Sequence, residues 1–316
     1  MARDYKTFVK LLTIFFLNPL DWKLFTGNFQ DDCPVDFPYT PGFDVAGRVV
    51  KPSGGFNVGD KIVCNIGLLE SCKKPAPLPQ GPCGALAKFV CVPAKECVRL
   101  KESTKFKQVA GLPLAGATAF QGLFGINRSG LNGQPLGDAK KGKRVLVLGG
   151  ASGTGSLAVQ MAKNAGCTVA ATASSKPVNE QTDMTKCEMV EALGADVVID
   201  YTKKDWIDVM NNANYDIIFD CVGIPEDLTE RAPKALTKGG QFVSIANFNG
   251  ESTDHVKYSV FLVKQDKQDL KALVDMIERK EIVVPVDSEY TFSEAKDAFK
   301  RSLSGHATGK ILVKCG

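Results

Sequence analysis

One stretch, RVLVLGGASGTGSLAVQMAKNAG from Arg144 to Gly166, restricts this chain more than any other. It runs from branched apolar residues, through a turn of small residues, into a segment with apolar residues at helical spacing. A continuous apolar run suits a strand buried on both faces, the environment of a parallel sheet. The turn is Gly149-Gly150-Ala151-Ser152-Gly153-Thr154-Gly155. Its small residues let the backbone approach a pyrophosphate, and the following helix offers free N–H groups and the positive end of its dipole. The pattern is not the usual G-x-G-x-x-G, so its meaning comes from its place between strand and helix. The competing reading is a structural strand-to-helix turn without a ligand.

The rhythm continues downstream. CTVAATA (167–173), DVVIDY (196–201), DIIFDCVG (216–223) and QFVSIAN (241–247) are further strand-like runs, separated by the helical segments EMVEALG, DWIDVMNN and LTERAPKAL. Such alternation predicts a doubly wound parallel sheet. Residues 1–112 read differently. VKLLTIFF, FDVAGRVV, DKIVC and AKFVCV are short strands separated by NPLD, YTPG, KPSGG and KKPAPLPQGP. The tail holds two amphipathic helices, KQDLKALVDMIERKEI and SEAKDAFKRSLSG, and a closing strand, GKILVKC. The expected layout is α/β: a β-rich domain over 1–112, completed by 264–316, and a dinucleotide-binding domain over 113–263. GINRSGLNGQPLGDAKKG (125–142) reads as a polar surface loop.

Bulk properties exclude some functions. The 316 residues suffice for two domains, and a net charge of +4 without a basic stripe gives no support to a nucleic-acid or membrane-surface role. The ten cysteines are scattered, and Cys64, Cys72, Cys83, Cys91 and Cys97 contain no C-x-x-C, so reduced thiols and no metal site are expected. LLTIFFL follows basic residues and faintly resembles a signal peptide, but Asn18-Pro19 follows it without a small-residue cleavage site. No run approaches the roughly 20 apolar residues that span a bilayer. A cytoplasmic protein is the default expectation, with organellar targeting left open.

The end of the second strand of the dinucleotide domain selects the cofactor. An NAD site usually places Asp or Glu there, to bind the ribose 2′-hydroxyl. Here the strand ends Ala171-Thr172-Ala173-Ser174-Ser175-Lys176, with no acid. Hydroxyls and an ammonium suit a 2′-phosphate, which favours NADPH over NADH. Glu180 and Asp183, farther along the loop, are the counter-argument.

At this point the chain resembles the zinc-free medium-chain dehydrogenase/reductases, in the quinone oxidoreductase branch. GGASGTGSLAVQMAK is similar to their GGxGGVGxxAVQLAK, and NPLDWKLFTG to their NPVDWKxxxG. FPYTPGFDVAGRVV, NVGDKIV, GLPLAGATAFQGL, ADVVIDY, FDCVG and SGHATGK follow at matching places, so the resemblance covers nearly the whole chain from about Val9. Plant-type alkenal and chloroplast-envelope quinone reductases look nearest.

The resemblance implies a GroES-like catalytic domain split around a Rossmann domain, bound NADPH, a cofactor cleft between the domains and a homodimer. It implies that Ser152, Gly153 and Thr154 meet the pyrophosphate. Ser174, with Ser175 beside it, Lys186 and Tyr201 would form the 2′-phosphate pocket, despite an insertion at 177–185. Thr118 would approach the nicotinamide or its ribose, and Lys23 would reach the cofactor from the catalytic domain. Ala246 and Asn247 would line the nicotinamide side. Val222-Gly223 would sit where the sheet edge, after Asp220 and Cys221, meets the cofactor. KYSVFLV (257–263) is the expected edge strand for pairing with a second copy.

Three departures from the family pattern stand out. Zinc-dependent relatives carry Gly-His-Glu where this chain has Gly42-Phe43-Asp44, and Phe cannot ligate a metal. Enoyl thioester reductases carry a Tyr acid at the position of Phe29, which has no proton to give. Members of the family also carry roughly two more strands before VKLLTIFF, so an open sheet edge is expected.

The expected reaction is zinc-independent hydride transfer from NADPH to a quinone or an α,β-unsaturated carbonyl, whose developing oxyanion needs a donor or a proton from water. Asn18, Asp21 and Tyr39 are the catalytic candidates. The competing readings are an Asn that caps its own turn, an Asp that holds loop geometry and a Tyr that packs in the core. Lys23 has a solvated surface Lys as its competing reading. His255 and His306 read as structural or solvent-facing. Two other functions stay open: enoyl thioester reduction on the same fold, and a non-catalytic, NADPH-binding, redox-responsive partner protein.

Overall fold

The computed structural model describes residues 7–28, 37–52, 54–66, 84–223 and 231–315. Phe29 and residues 228–230 of the segment LTERAPKAL lie outside the described residues, and the rest of that segment holds a 3-10 turn over Ala232–Lys234 rather than a longer helix, with Leu236 already in the next strand. The strands, in chain order, are β1 (Thr7–Leu17), β2 (Asp44–Lys51), β3 (Lys61–Asn65), β4 (Phe89–Val92) and β5 (Val98–Arg99), then β6 (Arg144–Leu148), β7 (Thr168–Ala173), β8 (Val197–Asp200), β9 (Tyr215–Asp220), β10 (Leu236–Ser244) and β11 (Val256–Val260), and finally β12 (Val286–Thr291) and β13 (Lys310–Lys314). The chain divides into two compact units, 1–117 with 264–316, and 118–263.

In the first unit the strands run in the order β12-β13-β1-β2-β3-β5, and β4 pairs with β1. All of these pairings are antiparallel except β12 with β13. The chain's end therefore completes a sheet that its beginning starts, because β13 lies against the second half of β1. Phe15, Leu17, Val45, Val49, Ile62, Val90, Val92, Ile311 and Val313 meet in one buried cluster. Burying each such side chain contributes about 1.5–3 kcal/mol. Its two longest helices among the described residues are Lys267–Glu278 and Ala295–Leu303. The first starts cleanly because the Asp266 carboxylate accepts from the Gln268 and Asp269 amides at 2.8 and 3.3 Å.

The second unit is a six-stranded, wholly parallel sheet in the order β11-β10-β9-β6-β7-β8. Val145, Leu146, Val147 and Leu148 of β6 are all essentially inaccessible, as its unbroken apolar run requires. The chain leaves β6 in one direction through β7 and β8 and in the other through β9, β10 and β11. The switch point, where ligands of such sheets bind beyond the carboxyl ends of the strands, therefore lies between β6 and β9.

One expectation needs correction. The outward-facing backbone of β11 is already occupied within the chain. Val256 exchanges hydrogen bonds with Thr253, its N–H donating to Oγ1 at 3.1 Å and its carbonyl accepting from the Thr253 N–H at 2.9 Å. The Tyr258 N–H donates to Ser252 Oγ at 3.0 Å, and its carbonyl accepts from Asn132 Nδ2 at 2.8 Å. The Val260 carbonyl accepts from the Leu131 N–H at 2.7 Å. The polar 125–142 loop is thus a cap on the sheet edge, and KYSVFLV is not free to pair with a second copy.

Candidate functional site: a glycine turn and a buried polar network

The turn after β6 is held by its neighbours in the second unit. The Gly149 N–H donates to Thr172 Oγ1 at 2.8 Å and the Gly150 N–H to the Thr172 carbonyl at 2.8 Å. Gly149 adopts φ +82°, a left-handed conformation that favours glycine. A Cβ on Gly150 would lie 2.7 Å from Ala171 Cβ, and one on Gly155 would run into the Gly149 carbonyl oxygen. The helix that follows spans Gly153–Asn164, and Ser152 is its N-cap, accepting the Gly155 N–H at 3.0 Å. The amides of Gly153 and Thr154 begin the helix, where a helix supplies no partners of its own, and all three of Ser152, Gly153 and Thr154 are partly exposed. A pyrophosphate fits such a cradle, since it brings the acceptors that these amides lack.

The strand ends beside the turn are organised by one buried acid. Asp220 Oδ1 accepts the Val222 and Gly223 N–H groups at 3.0 and 3.1 Å, and its Oδ2 accepts the Ser244 hydroxyl at 2.7 Å. Ser244 Oγ in turn accepts the Ala246 and Asn247 N–H groups at 3.2 and 2.9 Å. Val222, Ala246 and Asn247 therefore share one scaffold at the carboxyl edge of the sheet. Val222 is exposed there, and Ala246 and Asn247 are half-buried. Asp220 therefore works as a structural acid.

The expected 2′-phosphate group is only partly presented. Ser174 is buried, whereas Lys186 is half-buried and Tyr201 is exposed. The Ser175 hydroxyl contacts the Asp200 carboxyl, which the Thr202 hydroxyl, above all, holds well below the usual carboxylate range. Lys203 Nζ lies 3.1 Å from the same carboxylate. The Lys186 N–H donates to the Lys176 carbonyl at 2.9 Å, which ties the ends of the inserted loop together. Thr118 is buried at the start of the Ala117–Phe124 helix.

The first unit holds a buried cluster that the sequence presented only in pieces. Asn18 Nδ2 donates to Asp44 Oδ2 at 2.9 Å and to the Phe16 carbonyl at 3.2 Å, while Asn18 Oδ1 accepts from Lys310 Nζ. Lys310 Nζ also lies 3.3 Å from Asp44 Oδ2, and Asp44 Oδ1 accepts the Leu114 N–H at 2.8 Å. Asp21 Oδ2 accepts the Asn18 N–H at 2.7 Å, closing the N-terminal turn of the Pro19–Phe25 helix. Asp21 Oδ1 is buried without a hydrogen-bond partner. Burial pushes the Asp21 carboxyl up to about 8, more than the Asn18 N–H lowers it. Burial also raises Asp44, against the opposing pull of Lys310.

This geometry corrects two catalytic expectations. The Asn18 amide is buried and already hydrogen-bonded at both ends, so it is not a pocket residue. Asp21 has no solvent exposure and works as a capping acid. Tyr39 is half-buried against Leu24, Phe43, Leu20 and Leu114, and burial followed by the Asp21 charge raises its hydroxyl, which leaves it a neutral donor. Lys23 is also half-buried, and burial pulls its ammonium below the usual lysine range. Lys310 and Asp44 are the residues that sequence reasoning missed. The available signal was a lysine opening the otherwise apolar run KILV, since a buried lysine demands a partner.

Comparison with known proteins places this architecture. Residues 12–102 match the alcohol dehydrogenase GroES-like domain, and residues 193–313 match the zinc-binding dehydrogenase domain. The NADPH-dependent alkenal/one oxidoreductase of Arabidopsis thaliana chloroplasts is 35% identical over 94% of this chain and 69% of its own length. The chloroplast envelope quinone oxidoreductase homolog of the same plant is 32% identical over 94% of this chain and 86% of its own length. The chain belongs to the medium-chain dehydrogenase/reductases, in their zinc-free quinone oxidoreductase branch. The solved quinone oxidoreductase from Coxiella burnetii superposes on this medium-chain reductase with a TM-score of 0.78 at 25% identity, covering 98% of this chain and 90% of that one. The second matched domain is named for zinc, yet Phe43 stands where zinc-dependent members carry a histidine. Among the described residues, no group of three or more His, Cys, Asp and Glu side chains is placed to hold a metal.

Proposed function

We propose that this medium-chain reductase uses NADPH to reduce a small quinone or an α,β-unsaturated carbonyl. The observation that carries the reading is the Gly149–Gly155 turn on the switch-point strand, with its helix start shaped for a pyrophosphate. The names of its relatives, an NADPH-dependent alkenal/one oxidoreductase and quinone oxidoreductases, supply the substrate class. The reduced nicotinamide would supply the hydride. Ser152, with the Gly153 and Thr154 amides, would bind the pyrophosphate. Lys186 and Tyr201 would take the 2′-phosphate, with the Ser175 hydroxyl beside them. The Asp220–Ser244 scaffold would hold Val222, Ala246 and Asn247 in place along the strand ends. Tyr39, a neutral hydroxyl, is the remaining candidate to donate a hydrogen bond to the developing oxyanion. Lys23, with its lowered pKa, is the candidate to reach the cofactor.

The test follows NADPH consumption with 1,4-benzoquinone, 9,10-phenanthrenequinone and short alkenals, beside crotonyl-CoA as the thioester arm. Turnover of the first group and not the thioester is expected. A folded protein that binds NADPH and turns over none of them sinks the catalytic reading and leaves a binding protein. Fluorescence titration is expected to give tighter NADPH than NADH binding. No helix among the described residues is long and apolar enough to cross a membrane. A homodimer would use a surface other than the capped β11 edge. A cytoplasmic location is proposed from the sequence, and imaging of a tagged full-length chain decides between cytosol and organelle.

A further inference from the structure

In β3 and β5, Ile62 lies opposite Arg99 and Val63 opposite Val98, in antiparallel register. One step along that register sets Cys64 opposite Cys97. The ladder alternates, so only every second residue of β3 bonds to β5. The Leu100 N–H donates to the Lys61 carbonyl at 2.8 Å, which assigns Lys61 and Val63 to that side. Cys64 turns its backbone to the other side, where it lies opposite Val45 of β2. The Cys97 N–H is used locally, on the Ala94 carbonyl at 3.2 Å. Cys64 and Cys97 are therefore a non-hydrogen-bonded pair, the type whose Cα atoms approach to about 4.5 Å. A disulfide spans Cα separations of about 4.4–6.8 Å. Both side chains enter the same buried apolar cluster, where the Cys64 thiol donates to the Asn65 carbonyl at 3.1 Å and the Cys97 thiol to the Pro93 carbonyl at 3.4 Å.

We propose that Cys64 and Cys97 form a dithiol site that closes to an intramolecular disulfide on meeting a two-electron oxidant of the quinone or diazene class. Both S–H bonds break and one S–S bond forms. The two electrons and two protons pass to the oxidant, so a quinone leaves as its hydroquinone. The site stands on strand register alone and does not depend on the proposed turnover. Access comes through β5, a two-residue strand at the end of its sheet, where local opening costs least. The contact with Cys97, and then burial, raise the Cys64 thiol far above its usual range, so closure is slow near neutral pH and quickens as pH rises.

The full chain is treated with diamide or with tetramethyl-1,4-benzoquinone, whose ring carbons are all blocked against thiol addition. It is then unfolded, alkylated and mapped without reductant. The expected result is a loss of two hydrogens from the intact mass, a Cys64–Cys97 linked peptide and recovery of both thiols with dithiothreitol. Cys97→Ala abolishes the link and Cys91→Ala retains it. Should Cys97→Ala not fold, Cys97→Ser serves, and the wild-type peptide map decides by itself. The reaction is repeated at a temperature where hydrogen exchange shows the β5 amides opening. If both cysteines are still fully alkylated there, or are linked to other cysteines, the proposal is overturned.

Discussion

Asn18 illustrates how a residue can lie in the right turn and still be unavailable. Its amide is the hub between Asp44 and Lys310, and the Asp21 carboxyl caps its backbone. Lys310 is nearly inaccessible, so its removal strands a buried carboxylate and a buried amide oxygen. We expect Lys310→Met to cost about 3–5 kcal/mol in urea unfolding. The Asp44→Asn/Lys310→Met double variant should cost less than the sum of the two single changes, because the sites share one network. Asp21 gives a pH signature. Its carboxyl keeps a proton to about 8 in the folded chain, against 3.8 when unperturbed. Folding therefore takes up a proton between those values, and stability falls as pH rises through that window. Asp21→Asn keeps an acceptor for the Asn18 N–H but carries no titrating group. Urea midpoints across that window should then lie on a flatter slope, and an unchanged slope would assign the titration to Asp44 instead.

At the scale of elements, the strand–turn–helix unit was read directly from the chain. RVLVL reads as a doubly buried strand, and Gly149, Gly150 and Gly155 of the turn each answer a local steric demand. Gly155→Ala drives a Cβ into the Gly149 carbonyl, so the turn must open. NADPH affinity should fall at least about tenfold while the far-UV spectrum is retained. Ser152→Ala removes only the N-cap bond, and should cost about 1 kcal/mol of stability. The strand end at Ser174-Ser175-Lys176 shows the limit of this legibility. Its hydroxyls and lysine pointed to a phosphate pocket, but their composition gave no hint that Ser174 would be buried or that Ser175 would meet Asp200.

At the scale of the whole molecule, the sheet edge governs how copies of the chain can meet. An unpaired edge invites a second strand. Here Asn132 and Ser252 satisfy the Tyr258 backbone, and Leu131 satisfies Val260. Lys257→Cys should not cross-link to its counterpart in another copy under mild oxidation. The Asn132→Ala/Ser252→Ala variant exposes the Tyr258 N–H and carbonyl, and should self-associate more strongly in sedimentation velocity. Cross-linking of the single Lys257→Cys variant would show that the cap yields to a partner.

The sequence by itself determined the α/β class, the glycine turn and the absence of a histidine at Phe43, because each depends on contacts between near neighbours in the chain. Short-range sterics and hydrophobic periodicity are written into consecutive residues. Only the tertiary structure decided that Lys310 reaches Asn18, that Cys64 faces Cys97 and that the 125–142 loop seals β11. Those pairs are distant along the chain. Their meeting depends on strand register and burial, which follow from how the whole core packs.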